Sequence, residues 1–249
     1  MMNGIEFIEA TDGKAFYIEA CLKSIIYGYI KLLDSKKSYS RSSIQATIRK
    51  ITGSNKSLNE IEDYLSDDLI NNYVKPCKHI FGLKDFAVNT GIRETKENVK
   101  TGILDIKFEL PSLLKNHYYI FEAKRIDKYS AKQHYYINHG IARFTNGQYY
   151  PESEIVAAGM LGFVETDLTK NPKGKTSINN IQAGLNKKLD SHGTISTSQK
   201  LATIILADDT YPEIEKFKFS YLSHHKRQRD NTTLRIYHLL LDYYDILQN

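Results

Sequence analysis

The chain has no tryptophan, only two cysteines and five prolines in 249 residues, and no apolar run near the roughly 18 residues that span a bilayer. Each absence excludes something. Cys21 and Cys77 are too few for a four-ligand zinc centre and too far apart in sequence to suggest a disulfide framework. The opening residues, MMNGIEFIEATDGK, carry an early Glu and lack the apolar core of a secretory signal. These features point to a cytoplasmic protein that does not engage membranes. The eight histidines form neither H-E-x-x-H nor H-x-E with C-x-x-C, which sets aside zinc hydrolases and zinc deaminases. There is no G-x-S-x-G elbow and no G-x-G-x-x-G after a strand. The Lys-rich TKNPKGKT (169–176) lacks the first glycine of a phosphate-binding P-loop.

What is present is ordinary in bulk. Hydrophobic residues make up 41% and charged residues 25%, the balance of a globular chain long enough to bury a large core. A net charge of +5 suits a polyanionic partner without specifying one.

Apolar positions at helical spacing, among them Ile18, Leu22, Ile25, Ile26 and Tyr29, predict a helix over 14–34. A Ser/Lys-rich loop and a short helix at 43–51 follow. Ser57, with Glu60 three residues on, forms a capping-box pattern that opens a helix over 58–74, closed by Pro76. From Phe86 the texture turns to β: FAVNTGIRE, GILDIKFEL and YYIFEAKRI are short and rich in β-branched and aromatic residues. Downstream, helices are expected at 129–140, from Pro151 through 152–164, and at 177–190, with a turn-rich loop at 143–151. Strands are expected at 201–207, 217–224 and 233–242. This order predicts an α/β fold with a mixed central β-sheet flanked by helices, in a single domain over 1–249.

The informative stretch is 101–126, TGILDIKFELPSLLKNHYYIFEAKRI. Strands 102–110 and 118–126 flank a loop centred near 113–115 and should pair antiparallel, which sets Asp105 opposite Ala123 within one residue. Glu122 and Lys124 are two apart and project from one face of their strand. The second strand is apolar on both faces, as an interior strand should be, so Glu122 and Lys124 interrupt a covered surface. Charges there are unfavourable unless paired or bound to metal, and hard oxygen ligands suit Mg²⁺. The competing reading is an exposed hairpin bearing a Glu–Lys surface pair, with Asp105 a solvated neighbour. The apolar flanks weigh against it.

Asp105, a gap of sixteen residues, then Glu122-Ala123-Lys124 resembles the PD-(D/E)xK signature of restriction-endonuclease-like nucleases. Leu104 stands where that signature has proline. The resemblance covers about 58–165. It implies a restriction-endonuclease-like core there, with N-terminal helices (14–51) before it and an α/β elaboration (166–249) after it. It further implies Mg²⁺, with Mn²⁺ as a substitute, held by Asp105, Glu122 and the Ala123 carbonyl. Lys124 would then orient the attacking water, and a further acid would come from the preceding helix: Glu62 first, then Glu60, with Glu94 as another alternative. The implied activity is hydrolysis of DNA phosphodiesters. The segments 140–149 and 158–163 resemble parts of nuclease-like proteins of bacterial defence, so restriction or anti-phage defence is the implied setting. A homodimer, or a complex with a regulatory or ATPase subunit, is the implied assembly. Two other roles stay open at this point: a non-catalytic nuclease-like scaffold subunit, and an RNase.

For holding nucleic acid, the candidates are Arg143, placed in a loop, and Lys226, Arg227 and Arg229, placed at a hairpin tip in HHKRQR (224–229). Lys170, Lys173 and Lys175 form a second basic segment. For each of these, a solvated turn is the alternative. Gln133 lies where some members of the class carry Q-x-x-x-Y, but position 137 is Ile, so that motif is not met.

Overall fold

In the computed structural model, the described residues are 11–52, 60–96, 99–109, 118–150, 156–165 and 177–248. They form a mixed α/β structure: one seven-stranded mixed sheet with helices packed against it. Among the described residues, α1 (Thr11–Asp34), α2 (Arg41–Thr52) and α3 (Glu60–Leu69) precede the sheet. The strands are β1 (Ala87–Lys96), β2 (Val99–Glu109), β3 (Tyr118–Ile126), β4 (Ala157–Val164), β5 (Thr197–Thr203), β6 (Ser220–Lys226) and β7 (Thr233–Asp242). Between β3 and β4 lies α4 (Ser130–Tyr136), and between β4 and β5 lies α5 (Ile178–Asp190). The spatial order is β1-β2-β3-β4-β7-β6-β5. The central pairs β3/β4 and β4/β7 are parallel, and the outer pairs are antiparallel.

Apolar residues bury in two clusters. One joins Ile25, Leu65 and Leu69 to Phe108, Phe121, Leu161 and Leu239. The other joins Ile137, Ile141, Ile181 and Leu185 to Ile120, Met160 and Leu240. Alternate residues of β3 and β4 enter different clusters, as period-two side chains on a doubly covered sheet must. Among the described residues no helix is long and apolar enough to cross a membrane.

Several expectations are corrected. The helix expected over 152–164 is strand β4 where it is described, and all eight of its residues are buried. A run buried on every side carries no amphipathic stripe, and its length cannot tell a central parallel strand from a covered helix. Its small residues are needed for close packing: a Cβ at Gly159 would lie 1.9 Å from Phe121 Cδ1. Pro76 does not end the third helix. The chain continues through a π-helical stretch (Ile70–Val74) into a short α turn (Lys75–Cys77) that contains Pro76. The helix after β3 likewise runs on, through Ile137–Ile141 (π-helical) and Ala142–Thr145, so Arg143 is helical rather than in a loop. The first of the late strands begins earlier than expected, at Thr197. Tyr39–Ser40, expected as loop, pairs in parallel with Leu247–Gln248.

Candidate active site

The β2–β3 ladder runs from Glu109–Tyr118 to Ile106–Phe121. The next position on β2, Asp105, is therefore level with Glu122, one residue from the expected register. Beyond the last pair, two β3 amides donate to carboxylates rather than to a strand. Ala123 N–H donates to Asp105 Oδ2 (2.8 Å), and Arg125 N–H donates to Glu62 Oε2 (2.7 Å). Buried amides need partners, and here the partners are acids aimed into the opening between the strands.

Lys124 fills the centre of this arrangement. Its Nζ lies 2.7 Å from Glu122 Oε1, 2.8 Å from Glu62 Oε1 and 3.4 Å from Asp105 Oδ2, and it donates to the Ala123 carbonyl at 2.5 Å. Glu122 is 0% exposed and Lys124 3%, so these charges are held by one another rather than by water. Glu122 is held from its other side as well: Arg143 Nη1 donates to Oε1 at 2.6 Å and the Tyr149 hydroxyl to Oε2 at 2.6 Å. Arg143 also donates to the Tyr149 oxygen, at 2.8 Å.

The electrostatics follow from burial and crowding. Burial, then the charge of Asp105, push the Glu122 carboxyl up to about 8, although Lys124 and Arg143 pull the other way. Glu62 is raised too, chiefly by burial. Asp63 lies at the surface as a residue, yet its carboxyl is pushed up to about 7 by desolvation and by the nearby Asp105 and Glu62. Burial alone would favour a neutral Lys124 amine; Asp105, Glu122 and Glu62 outweigh it and hold the ammonium well above the usual lysine range. The cluster thus gathers three acids, Glu62, Asp105 and Glu122, around two cations, Lys124 and Arg143, and this crowding adds to burial in driving the Glu62 and Glu122 carboxyls upward.

Among the described residues no group of three or more His, Cys, Asp and Glu side chains is arranged as a ready metal cage; the cation that gathers these acids is Lys124. The donor set nevertheless fits a hard divalent ion. Asp105, Glu122, Glu62 and the Ala123 carbonyl are all oxygen donors converging on one point, and the crowding with Asp105 that helps push Glu122 up marks negative charge a further cation would relieve.

A second ionic cluster braces the first. Glu165, 0% exposed, accepts from Arg125 Nε (2.9 Å) and Nη2 (2.7 Å), pairs with Arg41 Nη1 (2.9 Å), and also binds Lys132. Burial alone would raise its pKa, but the three cations hold it below the usual carboxylate range. Glu165 thus ties α2, β3 and α4 together beside the site.

Of the acids expected near Lys124, the structure brings Glu62, Asp105 and Glu122 together. Glu60 and Glu94 lie outside the residues whose side chains are described. Arg143, expected to face a phosphate, instead pairs with Glu122. The segment does sit at the β6–β7 hairpin, but Arg227, expected to face nucleic acid, is folded inward and only 1% exposed. Lys226 and Arg229 are both exposed: Lys226 bonds Thr233, and Arg229 pairs with Asp230 at 2.9 Å. Lys170, Lys173 and Lys175 lie outside the described residues. Tyr149 and Glu165 carried no signal in sequence, because nothing local marks a tyrosine or glutamate whose partners come from other elements. Comparison with protein-family models, with curated proteins and with solved structures gives no match.

Proposed function

We propose that this chain is a metal-dependent nuclease of the PD-(D/E)xK, restriction-endonuclease-like class that hydrolyses DNA phosphodiester bonds. The observation that carries the reading is the convergence of Glu62, Asp105, Glu122 and the Ala123 carbonyl on Lys124, at the point where β2 and β3 part. The acid on one strand and E-x-K on the next supply the residue types of that class in compatible geometry.

Asp105, Glu122 and the Ala123 carbonyl would hold Mg²⁺ or Mn²⁺, with Glu62 beside them. When bound, the ion supplies Lewis-acid polarisation of a phosphate and lowers the pKa of a bound water. The protein's own groups do the rest. Lys124, kept protonated by its acids, donates to an attacking water or to a phosphoryl oxygen and stabilises charge that grows there. Glu62 and the Ala123 carbonyl fix where that ammonium stands. Arg143 and Tyr149 fix the plane of the Glu122 carboxylate, one donating to each oxygen. In this reading the partner is DNA, the setting is restriction or anti-phage defence, and the chain acts as a homodimer or with a regulatory or ATPase subunit.

The test is direct. Plasmid DNA, linear DNA and RNA are incubated with the protein in Mg²⁺, in Mn²⁺ and in EDTA. The reading requires DNA cleavage that depends on the divalent ion. Cleavage of RNA alone would move the assignment to an RNase. Binding to DNA without cleavage in either metal would leave a scaffold subunit.

A further inference from the structure

The helix that follows β3 carries a ring pair that the proposed chemistry does not use. Tyr135 and His139 are stacked, with centroids 4.5 Å apart and planes 30° from parallel. The pair is beside the site: the Tyr135 ring centroid is 5.9 Å from Lys124 Nζ. Four residues beyond His139, Arg143 reaches Glu122. Tyr135, His139 and Arg143 thus form a stripe whose two ends meet the two ends of the Glu122–Lys124 pair.

His139 is exposed, so its outer ring face is open, while Tyr135 is half-buried beneath it. The backbone is specialised at this point. His139 lies within the π-helical stretch Ile137–Ile141, and the next residue, Gly140, lets the helix descend onto the sheet. A Cβ at Gly140 would come within 2.3 Å of Met160 Cε and 3.8 Å of Lys124 Cγ. The wide turn and the missing side chain together seat the ring pair over the site. An i, i+4 aromatic pair needs neither feature merely to support a helix.

We propose that the Tyr135–His139 stack is a platform for an unpaired nucleobase adjacent to the scissile phosphate, so that the enzyme prefers single-stranded or frayed nucleic acid. The inference rests on the nuclease reading and adds the substrate's state to it. A π-face accepts any base, which gives affinity without sequence preference. Burial, Arg143 and Lys124 depress the His139 pKa, so the ring is neutral at physiological pH and acts by stacking rather than as a phosphate contact.

The experiment measures equilibrium binding, in EDTA, of a 2-aminopurine-labelled single strand and of its matched duplex. The proteins are wild type, Tyr135→Ala, His139→Ala and His139→Phe. Stacking quenches the fluorophore in the wild type. His139→Ala and Tyr135→Ala should weaken single-strand binding by about five- to a hundredfold and lose the quench, with duplex affinity and salt dependence unchanged. His139→Phe should restore both. Single-strand affinity and quench unaltered in both alanine variants would overturn the platform while leaving the nuclease reading intact. No binding of any nucleic acid by the wild type would overturn both. A loss in His139→Ala that His139→Phe does not repair, with a reduced salt slope, would make His139 an electrostatic contact and also overturn the platform.

Discussion

The backbone amide of Arg125 donates to Glu62 Oε2 at 2.7 Å, which pins the acid of α3 to the strand bearing Lys124. The other oxygen of Glu62 holds the Lys124 ammonium at 2.8 Å. One carboxylate therefore satisfies an amide left at the end of a ladder and positions the central cation. Glu62→Gln keeps an acceptor but removes the charge. It should lower cleavage by about 10²-fold, the scale of losing one preorganised electrostatic contact, with a smaller effect on stability. Single-turnover rates and thermal melts check this; an unchanged rate would make Glu62 a structural cap only.

Lys124 neutralises buried carboxylates, so removing it should destabilise the fold. Lys124→Met should cost about 3–5 kcal/mol, the scale of breaking a buried pair. Mg²⁺ or Mn²⁺ should recover part of the loss, since an ion bound to the folded state alone stabilises it. The measurement is melting temperature of this variant against divalent concentration, with NaCl at matched ionic strength as control. A melting temperature equally indifferent to both salts would contradict the assignment of these acids as an ion site.

Gly159 faces Phe121, which packs edge-on against Phe108 with centroids 5.6 Å apart. Gly159→Ala should destabilise by about 1–3 kcal/mol through overpacking of this layer. Chemical denaturation measures it, and a cost near zero would mean that β3 and β4 shift apart freely.

How much of this was legible in the sequence depended on whether the signal was local. Helices α1 and α5, strand β3 and the pairing of Asp105 with the E-x-K strand follow from periodicity and loop length, which neighbouring residues set. Strand β4 was misread because AAGMLGFV is apolar throughout, and only its flanking strands make it β. Glu62 is one of five acids on its helix and was singled out only by the resemblance; its role is fixed by Arg125 N–H, a partner far away in sequence. Arg227 was misread for a related reason. Charge in a turn usually means exposure, and nothing in HHKRQR marks which arginine folds inward. The contacts of Tyr149 and Glu165 are wholly tertiary.

A buried polar chain crosses the far part of the sheet. Tyr136 bonds His238 Nδ1 (3.0 Å), Ser223 bonds both His238 Nε2 and His225 Nε2 (2.7 Å each), and His225 Nδ1 bonds Thr197 (3.0 Å). Burial lowers the His225 pKa to about 4 and holds His238 well below its ordinary range. Both rings are neutral in the fold. Their contribution is fully present above the unfolded value near 6.5 and is lost as pH falls, because the unfolded chain takes up protons the fold refuses. For His225 the loss proceeds between about 6.5 and about 4. Glu122, raised to about 8, acts in the opposite sense, so wild-type melts alone do not isolate the pair. The stability advantage of wild type over His225→Gln should shrink by about 1.4 kcal/mol per pH unit below pH 6. An advantage constant from pH 7.5 to 5 would show that His225 titrates normally.

The central claim is that Asp105, Glu122 and Lys124 are a reaction centre rather than a structural knot. Asp105→Asn tests it most directly, because the amide oxygen still accepts from Ala123 N–H while the charge is gone. Single-turnover cleavage of DNA in Mg²⁺ is measured beside DNA affinity and melting temperature. The account predicts a rate lowered by about 10²-fold or more, the scale of a lost catalytic electrostatic contact, with affinity and fold retained. An Asp105→Asn protein that folds, binds DNA and cuts it at the wild-type rate would contradict the account.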